Sequence, residues 1–564
     1  MMSDPTVVSP ALIIIGGAAL VPFLPHLLRN IYMLALPIVA FGFFVVMPQG
    51  EFGLVNYLGV ELVTLRVDLW SRIFVYIFLL ATLLSVIFAL HVRDTMQQVA
   101  GLVYAGGAIG AVLAGDFLTL FMFWEVTAIA SVFLVWATRT RASYRSGIRY
   151  IIFQLISGVL LLMGALAIYV DSGSLRFEQV ELDGVGGWLI FIAFGIKCAF
   201  PLLHNWLQDA YPNATATGVV FLSAFTTKLA VYALARGFAG EEILIYIGAA
   251  MALIPLFYAV LEDDLRRVLA YALNNQLGFM VIGVGVGTEL ALNGTAAHAF
   301  CHILYKSLLF MSMGAVLYRT GTARASSLGG LYKSMPWTTG FCIVGAASMA
   351  FPLFGGFVSK SLIISAASEQ GYIWTWAILM FAAAGVFLNA GLKVPYFAFF
   401  SCDRGIRCEE APKNMLAAMA IASAFCIGIG LYPPALYSLV PYAIDYEPYT
   451  GAHVVTQLQL LAFTALAFAI LVRHKLYPTE RPAVIIDTDV VYRRWLPAAI
   501  GEINAVFQAM RSASTRQTLA TIESIRVTSR GLFAGAGPLA RPTSTSTMII
   551  VVVMTLGIGL ALYY

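Results

Sequence analysis

The chain has 564 residues, of which 60% are hydrophobic and only 11% are charged. A soluble globular chain carries about 25% charge, so this composition excludes a water-soluble enzyme and describes an all-α polytopic membrane protein. The net charge of +4 sits in short loops and one long tail and says little about partners; the lipid bilayer is one, and nucleic acid is not expected.

Sixteen apolar segments are long enough to cross a bilayer. They run at about 8–28, 31–47, 67–91, 98–114, 117–137, 147–170, 186–200, 215–236, 243–260, 267–287, 293–318, 339–366, 373–400, 412–433, 456–474 and 547–564. The segments at 186–200 and 339–366 each contain an internal break. The N-terminus has no charged n-region and no small-residue cleavage site, so no signal peptide is expected. The six cysteines, at 198, 301, 342, 402, 408 and 426, are scattered and read as packing residues. One set of loops holds Arg93, Arg139, Arg141, Arg145, Arg319, Arg324 and Lys333; the alternate set holds Asp171, Glu178, Glu241, Glu289 and Glu369. The positive-inside rule makes the first set cytoplasmic and places both termini outside a plasma (inner) membrane.

The string Ala199-Phe200-Pro201-Leu202 recurs as Ala350-Phe351-Pro352-Leu353, five segments later. An odd offset turns the second unit over in the membrane, the pattern of an inverted-topology repeat. The proline in each copy is expected to break its helix, and broken helices at membrane depth survive only in protein or beside a wet cavity. The organisation expected is 1–95 as N-terminal helices, 96–240 and 241–402 as inverted five-helix units, and 403–475 as accessory helices. A cytoplasmic amphipathic region follows at 476–546, then a final anchor at 547–564. Within that region Ile500, Ile503, Phe507 and Met510 recur at helical spacing, opposite Arg511, Arg516 and Arg526, which predicts a lateral helix over about 499–532.

Ionisable side chains inside apolar segments are functional hypotheses by default. Glu125, in Trp124-Glu125-Val126, is expected to pair with Lys197, one turn before Pro201. Lys228 lies in the next segment. His298, His302 and Lys306 are spaced four apart and share one helix face. Two histidines at that spacing could bind zinc, but a lysine is a poor third ligand; a proton relay uses all three, because imidazole titrates near neutrality. Lys360 is taken as the counterpart of Lys197, and Lys393 as a further member near the cytoplasmic rim. The line suits proton hopping, with no catalytic site, cofactor or metal expected. Asp116 is expected to cap its helix. His26, His91, His204 and His453 read as interfacial side chains.

Several of these strings resemble a known family. They are Trp124-Glu125, Lys197 through His204-Asn205-Trp206-Leu207, Lys228-Leu229-Ala230-Val231-Tyr232, Asp264-Leu265-Arg266-Arg267, the His302–Lys306 helix and Gly356-Phe357-Val358-Ser359-Lys360. They are similar to the antiporter-like subunits shared by respiratory complex I, membrane-bound hydrogenases and multisubunit Mrp-type cation/proton antiporters, over roughly residues 60–435. Tyr211-Pro212-Asn213-Ala214-Thr215-Ala216-Thr217-Gly218 looks most like the D-type component of Mrp antiporters. The tail departs from that component and resembles the lateral helix of the complex I distal subunit or of the large A-type Mrp component. The resemblance implies two antiparallel half-channels. Glu125 and Lys197 would be the switching pair, Lys228 and the His298, His302, Lys306 helix the link, and Lys360 the distal lysine. It also implies partner membrane subunits, with protons and Na+ as the transported ions. The alternatives are a proton-pumping subunit of a complex I-like or hydrogenase redox complex, which would make the chain part of an enzyme, or the membrane partner of an inorganic-carbon uptake system. A purely structural scaffold is a further class, against which the intramembrane lysines argue.

Overall fold

The computed structural model describes residues 8–57, 59–478 and 487–563, and it divides at residues 485/486 into two units. The first unit opens with helices α1 (Pro10–Ala18) and α2 (His26–Val45), an antiparallel hairpin of β1 (Gly50–Tyr57) and β2 (Val60–Val67), and α3 (Leu69–Ala89). Then come α4 (Thr95–Leu113), α5 (Phe117–Trp136), α6 (Arg141–Ser172), α7 (Val185–Cys198), α8 (Asn205–Asn213), α9 (Gly218–Ala224) and α10 (Thr226–Gly237). The next run is α11 (Ile243–Leu261), α12 (Leu265–Val286), α13 (Glu289–Thr320), α14 (Pro336–Ala347), α15 (Gly355–Glu369) and α16 (Ile373–Val386), the last continuing in π-helical turns to Phe400. Helices α17 (Lys413–Leu431), α18 (Pro434–Tyr437) and α19 (Gly451–Arg473) complete it. The second unit holds α20 (Leu496–Phe533) and α21 (Thr545–Tyr563).

Among the described residues thirteen helices are long and apolar enough to cross a membrane, α9 and α10 counting as one span. The expected segments at 8–28, 186–200 and 339–366 are not single long helices. The first is split after Ala18 by a short 3-10 turn, and the other two end at their breaks, as α7 with α8 and as α14 with α15. The hairpin is the other departure. Residues 50–67 fall between two apolar segments and read as loop in sequence, yet β1 pairs β2 from Gly50↔Val67 to Tyr57↔Val60. The hairpin is anchored to the bundle: Asp116 caps α5 by accepting from the Thr119 backbone (2.7 Å) and also accepts from the Val63 backbone (2.9 Å). Cys402 is exposed, so it is not a packing residue; Cys198, Cys301, Cys342 and Cys426 are buried. The predicted stretch is one continuous helix, α20, 38 residues and so about 57 Å long. Of the amphipathic region, residues 479–486 lie outside the described residues, as do 1–7 of the N-terminal reading.

The echo in sequence is an echo in backbone. α7 stops at Cys198, Ala199 turns left-handed (φ 62°), and α8 starts at Asn205; α14 stops at Ala347 and α15 starts at Gly355. Leu202 and Leu353, each following its proline, both hold φ 70°. A second correspondence lies five spans apart as well. Asp116 caps α5 and forms an isolated antiparallel bridge with Arg176; Asp264 caps α12 and forms one with Arg324. The freed carbonyls find donors. The Trp206 indole donates to Ile196 O (2.9 Å), and the Gln457 amide donates to Ala350 O (3.0 Å).

The helices that carry charge lie inside. The spans α9–α10 and α12 are wholly buried, and α13 is nearly so, while α2, α6 and α19 present most of their surface outward. That is the expected partition for ionisable groups in a bilayer protein.

Candidate functional site

The site is a row of buried basic side chains on α7, α10, α13 and α15, with one carboxylate at its edge. On α5, Trp124 is fixed by its indole, which donates to Ser157 Oγ (3.0 Å); Ser157 in turn donates to Ala193 O (2.7 Å). That clamp joins α5, α6 and α7 at one level. Lys197 is fully buried, and its Nζ donates to Trp124 O (2.7 Å) and Thr127 Oγ1 (3.1 Å), 4.3 Å from the centroid of the Trp124 ring. No direct ion contact joins it to Glu125. The carboxylate is one residue along from the carbonyl that Lys197 holds, and it points at Gly158 of α6. Its Oε1 is buried with no hydrogen-bond partner, and the Lys197 charge acts on it through space.

Lys228 stands in the first turn of α10, beside the break at Phe225 (φ −102°, ψ −69°). Its Nζ donates to Ser223 O (2.6 Å) across that break. Hydroxyl groups ring the same point: Tyr104 OH meets Thr226 Oγ1 (2.6 Å), and Ser131 Oγ meets Tyr150 OH (2.8 Å).

The spacing of four on α13 brings His298, His302 and Lys306 into one buried column, with imidazole centroids 5.9 Å apart. His298 Nδ1 lies 3.0 Å from Ser359 Oγ, next to Lys360 in sequence. Both ring nitrogens of His302, and the Nζ atoms of Lys306 and Lys360, are buried with no hydrogen-bond partner among the described residues. His302 feels the charges of Lys228, Lys306, His298 and Lys360, so these five groups form one electrostatic cluster. Every member is basic. Like charges sharing a low-dielectric site disfavour simultaneous protonation.

Two expected residues sit differently. By the proline register Lys360 lies eight residues after Pro352, whereas Lys197 lies four before Pro201, so Lys360 is not the counterpart of Lys197. The residue eight after Pro201 is Asp209, paired with Arg149 at 2.7 Å. Lys393, in a π-helical turn, gives its Nζ to Ala259 O (3.2 Å), Val260 O (2.8 Å) and Glu262 O (2.7 Å), the carbonyls around the end of α11. There it satisfies carbonyls left open at a helix terminus. His204 is buried in the first break and is not an interfacial side chain. Sequence reasoning missed Thr127, Ser157, Gly158 and Ser359, because small and hydroxylic residues in an apolar helix carry no signal until their neighbours are known. No group of three His, Cys, Asp or Glu side chains among the described residues is placed to hold a metal ion.

Residues 114–389 match the family model described as NADH:quinone oxidoreductase/Mrp antiporter, TM. The chain is 30% identical over 379 residues to the NADH-quinone oxidoreductase N subunit of Desulforudis audaxviator (strain MP104C), which covers 60% of this chain and 75% of that protein. The chain belongs to this NADH:quinone oxidoreductase/Mrp antiporter family. This family member is also 31% identical over 316 residues to the Na(+)/H(+) antiporter D-type component of Alkalihalophilus pseudofirmus (strain ATCC BAA-2126 / JCM 17055 / OF4), covering 52% of this chain. It spans 64% of the length of that relative. In fold it resembles a chain of the Mrp complex from Dietzia sp. DQ12-45-1b, with a TM-score of 0.78 and 24% identity, covering 98% of this chain and 66% of that one. The chain is thus an antiporter-like, multi-pass membrane subunit.

Proposed function

We propose that this chain is the proton-translocating subunit of a multisubunit monovalent-cation/proton antiporter, with Na+ as the cation. The reading rests above all on the buried cluster of Lys228, His298, His302, Lys306 and Lys360, whose basic groups are largely without protein partners. Such groups are costly in a bilayer unless they bind or pass protons. In this reading 96–240 and 241–402 are inverted half-channels, both termini lie on the outer side of the plasma membrane, and other membrane subunits complete the assembly.

Glu125 and Lys197 form the input switch. With Glu125 ionised, its charge supports a proton on Lys197. When an arriving proton or a neighbouring subunit cancels that charge, Lys197 gives its proton toward Lys228. The extra charge there displaces a proton along the His298, His302, Lys306 column, since the cluster tolerates few charges at once. Lys360 passes the displaced proton to the opposite side. Lys393 belongs to the frame and not to the relay.

A second reading, the pumping subunit of a redox complex, is favoured by the likeness to the NADH-quinone oxidoreductase N subunit. Purification of the native complex with identification of its subunits separates the two. The switch is tested by Glu125→Gln and Lys197→Ala in the assembled complex, with proton movement read in vesicles. Native rates in both variants would make the two residues structural and overturn the mechanism.

A further inference from the structure

Lys360 opens into a cavity that the relay leaves unused. On α15, Ser361, Ser365 and Ser368 follow it at spacings of four and three, so they share one face leading to the end of the helix at Glu369. All three line a cavity of ≈ 240 Å³, closed on its other side by His453 and Gln457 of α19. Lys360 lines it as well; the residue is 4% exposed, and its Nζ has no hydrogen-bond partner. No carboxylate is among the lining residues. The volume holds several waters, for which a polar wall with free donors is the requirement.

At the mouth, Ser365 Oγ meets Tyr446 OH (2.9 Å), and Tyr446 OH meets His453 Nδ1 (3.3 Å). His453 is part-exposed, so its ring reaches between cavity and surface. The groups facing it are few. From the cavity lining, α15 contributes Lys360 and the serines and α16 only Trp376, Met380 and Ala383, while Tyr446 of the loop before α19 meets the ring itself. The charges of Glu369 and Glu447 lie nearby, acting on Tyr446 and Tyr437.

We propose that this cavity is the outer port of the proton path and that His453 exchanges protons between its water and the medium. The proposal rests on the proton-translocation reading given above and names the exit residue of that same path. A proton leaving the Lys360 ammonium binds cavity water, and that water protonates the free ring nitrogen of His453. The imidazolium then returns the proton to bulk water. Run backward, the same steps load Lys360; only N–H and O–H bonds are made and broken. Imidazole suits the place because one ring nitrogen can take and give up a proton while the other stays hydrogen-bonded. Tyr446 holds the ring by its other nitrogen, as a relay histidine needs.

The test has two arms, both in the assembled complex in sealed vesicles of known orientation. In the first, His453→Ala lowers proton movement at least tenfold, and imidazole added on the outer side restores it. Full rate in His453→Ala, or a loss that imidazole does not restore, overturns the assignment, since a purely structural histidine is not replaced by a free ring. In the second, Ser365→Cys reacts with a membrane-impermeant thiol reagent supplied outside and not with the same reagent supplied inside, measured above the background of the native cysteines. No reaction from outside overturns the port. Labelling reads the cavity without reference to transport, so it can succeed even where the Glu125 and Lys197 variants refute the relay.

Discussion

A methyl group at position 158 should disable the switch without touching either of its charges. A Cβ built on Gly158 would stand 2.6 Å from Cδ of Glu125 and nearer still to Oε1. Carbon atoms at optimal contact are about 3.5–4.0 Å apart, so in Gly158→Ala Cδ must retreat by at least about 1 Å and Oε1 by more. The obstacle is the far end of a flexible side chain, so the fold accommodates the change. Alanine is also favoured over glycine inside a helix by about 1 kcal/mol, and assembly and thermal stability should hold. The arriving proton that cancels the Glu125 charge must come from a donor about 2.6–3.2 Å away, directly or through one water, and a misplacement of about 1 Å can cost about a hundredfold. Proton movement into vesicles, followed with a pH-sensitive dye, should therefore fall by about ten- to a hundredfold. Adding Glu125→Asp shortens the side chain by one C–C bond, about 1.5 Å, and makes room for the methyl, so the double variant should recover part of the loss. Native transport in Gly158→Ala would refute the reasoning, because it would mean that the position of this carboxylate does not matter.

Lys393→Met leaves the carbonyls at the end of α11 without their donor in a buried site, so it should destabilise the protein by about 2–3 kcal/mol in a thermal melt, while the fraction that assembles moves protons normally. Leu202→Gly relieves a left-handed residue at a position where the side chain is 71% exposed; the melting temperature should rise, by an amount corresponding to about 1 kcal/mol, and a fall would show that the leucine packs against something outside the chain. Burial raises the Asp68 carboxyl, but the Arg236 guanidinium beside it, at 2.7 Å, the Ser71 backbone N–H and the Arg66 charge together outweigh this and leave it below the usual range. Its contribution to stability is present above the ordinary carboxylate range and is lost as pH falls through the depressed native value. Melting curves of the native chain and Asp68→Asn should therefore differ at neutral pH and converge in strong acid.

The basic row was legible because a lysine or histidine in a long apolar run has few other reasons to be there. The proline breaks at 201 and 352 and the Asp116 cap were legible because each changes the backbone by its own chemistry. What could not be read was who meets whom. Glu125 and Lys197 have the composition of an ion pair, yet Trp124 O and Thr127 Oγ1 take the ammonium, since a carbonyl next to the carboxylate lies closer along α5. Lys393 looks like a relay residue in sequence, and in space its ammonium is held by the carbonyls at the end of α11. The hairpin leaves little trace in sequence because Gly50–Tyr57 is short and exposed, and its hold on the bundle depends on Asp116, far along the chain.

The bond from Lys228 to Ser223 O has a mechanical meaning. The side chain that would carry a proton is also the bolt across the gap between α9 and α10. A lysine that turns to hand on its proton must let go of that carbonyl, and the gap then loses this tie, leaving the Thr226 backbone N–H that donates to Tyr104 OH. In the proton-relay reading proposed above, the position of this side chain and the angle of the joint would be coupled, so a proton passing through would flex the span, and whatever bends the span, a neighbouring membrane protein included, would influence where the proton can go.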